Sequence, residues 1–445
     1  MSTPTATAAD DSIIEKKVVS GRRPNWWHLP TALTVLGVLE LVAFALRIPG
    51  GETSTFRVVP RGGIDAGGTV PGVFELPAAP GSIALGILCL VIAGVFWGVQ
   101  ATATSLPRLV RPVLLAVFGL SWVLGFLFWT DAGSALDLSS LLRIMIVFTV
   151  PIAFGALSGV LSERSGVINI AIEGQLLFGA FGAALFGSMF HSAWVGLVAA
   201  PLVALGMGAL LGLFAIGHRV QQIIVGVVLN VLALGLTTFF LNTVMRQNPQ
   251  TFNTPLKLPA IRIPVLADLP LVGPALFNQT ILVYLMWIIV VVLTVALFRT
   301  RWGLRVRSVG EHPRAADTVG INVNRTRWKN VLLGSAVAGL GGASLTIGIG
   351  VGFEENMSAG KGYIGLAAMI LGRYHPVGAL AAALLFALAD SLQLSLGTLP
   401  PTTNGGSIPS EFLIMLPYVV TLFAVAGVVG RVRVPAADGE PYVQQ

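Results

Sequence analysis

The sequence predicts an all-α polytopic membrane protein, and three observations carry that reading. Of 445 residues, 55% are hydrophobic and only 11% are charged, where an ordinary soluble domain carries about 25% charged residues. The mean hydropathy is +0.83. The apolar residues fall in continuous runs of roughly twenty, the length that crosses hydrocarbon as a helix, and not in the alternation of a membrane β-barrel. Twenty-seven basic and 20 acidic residues are too few to cover a soluble fold of this length. That excludes disorder, collagen-like repeats and most soluble enzymes.

Along the chain, residues 1–30 are polar and mixed in charge, with Lys16, Lys17, Arg22 and Arg23. They lack the apolar core of a signal peptide and read as a cytoplasmic tail, with Trp26 and Trp27 as interfacial anchors. The runs 31–48, 81–102 and 112–130 make an N-terminal three-span region, 31–140. The runs 141–161, 172–190, 193–217, 222–243, 280–298, 330–351, 362–372, 376–396 and 412–430 make a core, 141–430, and a short polar tail, 431–445, follows. The total is roughly ten to twelve crossings, the lower number if the short run 362–372 is re-entrant.

With the N-terminus inside, Arg108, Arg111, Arg164, Arg219, Arg373, Arg431 and Arg433 fall on the cytoplasmic side, as the positive-inside rule requires. Both termini are then cytoplasmic. The Pro- and Gly-rich stretches 50–80 and 245–279 are expected as compact outer loops. The net charge of +7 fits this bias in a lipid-embedded chain and calls for no nucleic acid. Small residues four apart, Gly208 with Gly212 and Gly334 with Ala338 and Gly342, suit close helix packing.

Chemistry-bearing patterns are absent. There is no G-x-x-x-x-G-K-[ST] loop and no G-x-S-x-G or H-E-x-x-H motif. His28, His191, His218, His312 and His375 are scattered without metal-ligand spacing, and the one cysteine, Cys89, supports no disulfide framework. The chain is therefore expected to be no enzyme, to lack an ATPase site and to bind no cofactor or metal of its own. Uphill transport would draw on a partner or an ion gradient.

The charges that do occur are concentrated. Eight basic residues lie in 299–329. Within it, 313–319 predicts a short helix with Pro313 in its first turn and Gly320 ending it in a left-handed turn. Such a bounded helix could take force from a soluble partner, or the stretch could be a solvated loop that only sets topology. At membrane depth, Asn169 and Glu173 are four apart and would share one helix face, lining a pathway or bonding a neighbouring helix. Asn356 and Tyr363 flank Gly360 and Gly362, and Asn230 falls mid-span. Phe353, Tyr363 and Trp194 offer faces for stacking on a base, although most such aromatics are core or interface anchors. The pattern G-x-I-x-[IL]-A occurs at 166–171 and at 362–367. Entered from opposite sides of the membrane, it suggests an inverted repeat with interrupted helices.

Four motifs in order carry a resemblance: L-S-E-R-S-G-V-I-N-I-A-I-E-G-Q-L-L (161–177), I-V-G-V-V-L-N (224–230), V-G-E-H-P-R-A-A-D-T-V-G-I-N-V (309–323) and F-E-E-N-M-S-A-G-K-G-Y-I-G-L-A-A-M-I-L-G-R-Y-H-P-V-G-A (353–379). Over 141–430 the chain resembles permease subunits of bacterial ABC importers, within the branched-chain amino acid, ribose and simple-sugar superfamily and its nucleoside and simple-sugar branch. Residues 31–140 lie outside the resemblance. It implies a gated path for nucleosides or related ribosyl solutes in a bacterial plasma membrane, with simple sugars as the near alternative. An ion-coupled secondary transporter is the reading it disfavours. It implies three partners: an ATPase subunit that uses the ATP, a second permease subunit (identical or paralogous) and an extracytoplasmic binding protein. It puts Glu311, Pro313, Arg314, Asp317 and Gly320 in the region that couples to the ATPase. For the path, the expectation is Asn169, Glu173, Asn230, Phe353, Asn356 and Tyr363.

Overall fold

The computed structural model describes residues 28–58, 73–102, 106–107, 110–132, 135–397, 415 and 433–443. The expected tail with Trp26 and Trp27, the span 412–430, Arg108, Arg431 and the middle of the loop 50–80 lie outside the described residues. Among the described residues, nine helices are long and apolar enough to cross a membrane. The chain divides into two compact units.

The first unit holds three spans. α1 (His28–Leu39) runs on through a wider turn at Glu40–Phe44 and a tighter one at Ala45–Arg47. α2 (Ala78–Ala101) and α3 (Val110–Thr130) complete it. Aromatic rings of Phe44, Trp122, Phe126 and Trp129 pack together at 5.0 to 6.1 Å between centroids. Buried Glu40 is housed against Gly86 and Gly125, where no side chain competes for its space, and accepts from Cys89 Sγ at 3.6 Å.

The second unit begins with α4 (Leu138–Glu163), capped by Asp137, whose carboxylate accepts from Ser140 N at 2.9 Å. Gly166, at φ +85°, turns the chain out of that helix. After the non-helical stretch 166–171 come α5 (Ile172–Met189), α6 (Ala193–Gly212) and α7 (Gln222–Phe240). The loop that follows carries α8 (Pro249–Phe252), α9 (Val272–Leu276) and a two-stranded antiparallel pair, Ala260–Arg262 with Asn278–Thr280. The strands are confined to loops, so the spans are helical throughout. Next are α10 (Ile281–Arg299), α11 (Arg301–Glu311), α12 (Pro313–Thr318) and α13 (Val323–Leu345). A second non-helical stretch, 346–360, leads to α14 (Lys361–Leu371) and α15 (Pro376–Gly397).

Two expected boundaries move. The run 330–351 is a helix that starts at Val323, because the Asn322 side chain accepts from Arg325 N at 2.8 Å and caps it outside the apolar run. It stops at Leu345, where Thr346 leaves helical geometry at φ −111°, ψ −83°. The short run 362–372 is α14, whose eleven residues reach only about 17 Å at 1.5 Å per residue. That is short of the ~30 Å hydrocarbon core, so α14 crosses only together with the break 346–360, and its end returns to the end of α4, where Tyr374 O accepts from Arg164 Nε at 2.9 Å.

The packing repeats. α4 and α13 lie antiparallel: Gly334 sits on Ser158, while Gly341 sits on Pro151 and Phe154. α4 packs on α14 and α15, and α13 packs on α5 and α6. Exchanging α4 with α13, α5 with α14 and α6 with α15 therefore reproduces the pairing. Each half is a long helix, a break, a shorter helix and a long helix, and antiparallel partners of this kind are what an inverted repeat builds. Glycines make the close crossings. A Cβ at Gly365 would meet Ile152 O at 3.1 Å, and one at Gly179 would meet Gly339 Cα at 2.6 Å, so the backbones touch as small-residue membrane interfaces do.

Candidate functional site

The two breaks meet inside the second unit. Backbone N–H groups at a helix start have no partner within the helix, and at membrane depth water does not supply one. Neither α5 nor α14 has a side-chain cap of its own. Each borrows one from another element.

The cap of α14 is Glu173, from the first turn of α5. Its Oε1 accepts from Ser358 Oγ at 2.6 Å and from Gly360 N at 2.8 Å, and its Oε2 accepts from Gly362 N at 2.6 Å. A carboxylate at a helix N-terminus is favoured by the helix dipole as well as by these bonds. The approach is close enough that a Cβ on Gly362 would come within 2.6 Å of Glu173 Cα, so glycine is required there. The cap of α5 is Asn230, from α7. Its Oδ1 accepts from Gly174 N at 2.9 Å, and its Nδ2 donates to Ile170 O at 2.9 Å and to Tyr363 Oη at 3.0 Å. Asn230 thus touches both halves of the repeat. Gln222, also on α7, accepts from Ile168 N at 2.7 Å.

Asn169 does not share a helix face with Glu173. It lies in the break before α5, because Gly166 has already ended α4, and its side chain turns the other way. Asn169 Nδ2 donates to Ser158 Oγ, Ser162 Oγ and Gln175 Oε1 at 3.1 to 3.3 Å, and Gln175 Nε2 donates back to Asn169 Oδ1 at 3.2 Å. All four residues are fully buried. Such a closed polar network rigidifies the segment it sits in.

The second break holds the other expected path residues. Phe353 is buried, edge-on to Phe181 at 5.6 Å, with its main chain held by Asn253 in a reciprocal pair at 2.6 and 3.0 Å. Asn356 is exposed at φ +53°, a left-handed turn that asparagine tolerates, and its carbonyl accepts from Ala359 N at 2.9 Å. Tyr363 is 48% exposed with its hydroxyl fixed by Asn230, so its ring presents an open, oriented face. The six path residues therefore separate: Glu173, Asn230 and Tyr363 join the two breaks, Asn169 locks the first, and Phe353 and Asn356 shape the second. The two G-x-I-x-[IL]-A segments are bridged by Asn230 but fold differently, the first as the break and the second as the first turns of α14.

The expected coupling residues cluster elsewhere, beside the end of α4. Pro313 opens α12 and Gly320 follows it at φ +83°. Ala316 is buried against Val309, Val323 and Tyr442, while Arg314, Thr318 and Val319 point outward. Asp317 Oδ2 accepts from Tyr442 Oη at 2.6 Å, and Glu311 Oε2 from Ala436 N at 3.3 Å. Nearby, burial pushes the Asp438 carboxyl up to about 7, and burial also lowers His375, with Arg164 adding to the effect.

Residues the sequence reading missed are Ser158, Ser162, Gln175, Gln222, Asn253, Ser358 and Arg327. Ser162, Gln175 and Ser358 lie inside motifs already singled out; the others carry no local signal. Among the described residues no cluster of metal-binding side chains occurs.

Known proteins give the following. The family described as "Branched-chain amino acid transport system / permease component" matches residues 140–425. The chain is 39% identical over 323 residues to "Guanosine ABC transporter permease protein NupQ" of Bacillus subtilis (strain 168), covering 69% of this chain and 97% of that one. It is 38% identical over 309 residues to "Nucleoside ABC transporter permease protein NupC" of Lactococcus lactis subsp. cremoris (strain MG1363), covering 67% and 95%. It is 32% identical over 260 residues to "Putative glucose ABC transporter permease protein TsgC13" of Haloferax volcanii, covering 58% and 77%. No solved structure matches the chain at a significant level.

Proposed function

The chain belongs to the branched-chain amino acid transport system permease family, and from that premise we propose that it is the membrane permease of an ATP-driven ABC importer for nucleosides. The observation that carries the solute class is the ranking of relatives. The two with nucleoside or guanosine in their names are more similar, and matched over more of their length, than the one named for glucose. The site agrees with that ranking. An amide (Asn230), a phenol with an open ring face (Tyr363) and fixed backbone groups suit an uncharged solute with a stacking base and a hydroxylated ribosyl ring.

In this reading the path passes where the two breaks meet, and the polar knot of Glu173, Asn230 and Tyr363 is what must rearrange for solute to pass. Asn169, Phe353 and Asn356 hold the flanking backbone. The ATPase is a separate subunit that uses the ATP; this chain is not catalytic. α12, with Arg314 outward, docks in it, and Glu311, Pro313, Asp317 and Gly320 position that helix. A second permease subunit (identical or paralogous) and an extracytoplasmic binding protein complete the importer. It sits in the bacterial plasma membrane, with both termini and α12 on the cytoplasmic side, as the basic residues Arg299, Arg301, Arg305 and Arg307 favour. An ion-coupled mechanism needs an acid free to cycle. The acid at the crossing, Glu173, has both oxygens committed to α14.

The test is uptake into proteoliposomes holding this chain with its ATPase, its second permease and the binding protein. Labelled nucleoside should enter only with ATP, and excess ribose or glucose should not compete. Competition by sugar without nucleoside entry would replace the solute class. Entry that needs an ion gradient and no ATP would refute the importer.

A further inference from the structure

The polar stretch 433–443 has no place in the path or in the expected docking helix, yet it is bonded to four elements at once. Arg327, in the first turns of α13, is 2% exposed and donates to Glu440 O at 2.7 Å and Ala437 O at 3.4 Å. Ala437 N donates to Gly310 O at 2.9 Å, at the end of α11. Ala436 N and Tyr442 Oη donate to Glu311 and Asp317, as described above. The Asp438 carboxyl lies beside that of Glu163, the last residue of α4. Gly439, at φ +80°, lies on Ile168: a Cβ there would come within 2.7 Å of Ile168 Cδ1. Ile168 is the neighbour of Asn169 in the first break.

The covalent route from α12 to α13 is the left-handed turn at Gly320, at φ +83°, closed by Ile321 N donating to Ala316 O at 3.0 Å. The bonded route through 433–443 instead spans α12, the α11 end, α13, the α4 end and the break, and includes a buried guanidinium whose removal would leave main-chain carbonyls without partners.

We propose that residues 433–443 are a strap that carries displacement of α12 to the break 166–171, so that the ATPase moves the path partly through the chain's own C-terminal segment. The proposal rests on the reading that α12 docks in the ATPase. In it, Asp317 and Glu311 are positioning residues that hold the strap, and Arg314 meets the partner. Coupling through a bonded two-state element, and not proximity alone, is the physical content.

The test uses the whole importer in proteoliposomes with two readouts. The first needs no solute: the change on ATP binding in the distance between spin labels at Val319, 74% exposed at the end of α12, and Val220, beside Gln222. The native thiol, Cys89, is buried away from the label. The second is solute imported per ATP hydrolysed. Tyr442→Phe removes one hydroxyl. It should abolish the distance change and cut import per ATP about tenfold, the size of one lost bond to a charged acceptor, with complex yield and ATPase rate kept. Asp317→Ala should do the same, and Asp317→Asn, whose amide oxygen still accepts, should behave as wild type. A wild-type distance change in Tyr442→Phe would overturn the strap, even if Asp317→Ala uncouples, because Asp317 would then act on the ATPase directly. A wild-type complex that shows the distance change but imports no nucleoside would refute the solute class and leave the strap supported.

Discussion

Replacing Glu173 with alanine removes one acceptor group from three donors. Ser358 Oγ, Gly360 N and Gly362 N, bonded to it at 2.6 to 2.8 Å, have no other acceptor among the described residues, and Ser358 and Gly362 are buried. Each buried donor left unsatisfied costs about 1–3 kcal/mol, so the two buried ones lose about 2–6 kcal/mol. In detergent-solubilised protein this should lower the Tm by about 2–6 °C. Glu173→Gln is the discriminating partner. Its one carbonyl oxygen can still accept from Ser358 and Gly360, while its amide faces the Gly362 N–H, donor to donor. It should therefore fall between wild type and alanine, losing about 2–4 kcal/mol. A Glu173→Ala protein melting within about 0.5 °C of wild type would refute the reasoning that this side chain caps α14.

Three further outcomes follow from the same geometry. Gly339→Ala puts a methyl 2.6 Å from Ala200 O and 2.7 Å from Pro201 Cα. It should cost about 1–3 kcal/mol by overpacking, read as lost monodisperse yield, whereas Gly235→Ala, with nothing within 4 Å, should be neutral or mildly stabilising. Docking of 433–443 should depend on pH through Asp438, whose folded value near 7 exceeds the ordinary 3.8. The docked segment then holds a proton that the released one gives up, so docking is fully supported below about pH 4 and weakens as pH rises through about 7. Proteolysis within 433–443 should be faster at alkaline than at mildly acidic pH, and Asp438→Asn should remove the difference. Arg314→Ala should leave the subunit inserted and the ATPase running while import falls, measured as solute per ATP.

The spans were legible because lipid demands long apolar runs, which a single sequence displays directly. α12 was legible too, since Pro313 and Gly320 act locally. The breaks were legible only in part. The spans stop at 161 and resume at 172, but the helix face expected for Asn169 and Glu173 does not form, because the turn at Gly166 that puts Asn169 outside α5 is a tertiary outcome, held by Arg327 packed where a Cβ would stand, 2.8 Å away. The caps are remote as well. Asn230 reaches back 56 residues to Gly174, and Gly362 lies 189 residues from Glu173. No local pattern encodes such pairs, although the polar residues that make them stood out by being in lipid at all. The tail 431–445 read as solvated because its polar residues carry no periodicity; Tyr442 finds Asp317 across 125 residues.

The most direct measurement is uptake of radiolabelled nucleoside by cells from which this chain has been deleted, with the other importer genes intact, before and after the chain is restored. Uptake should drop to background on deletion and return with the wild-type chain. Unchanged uptake in the deletion strain, in cells shown to express the remaining subunits, would contradict the account.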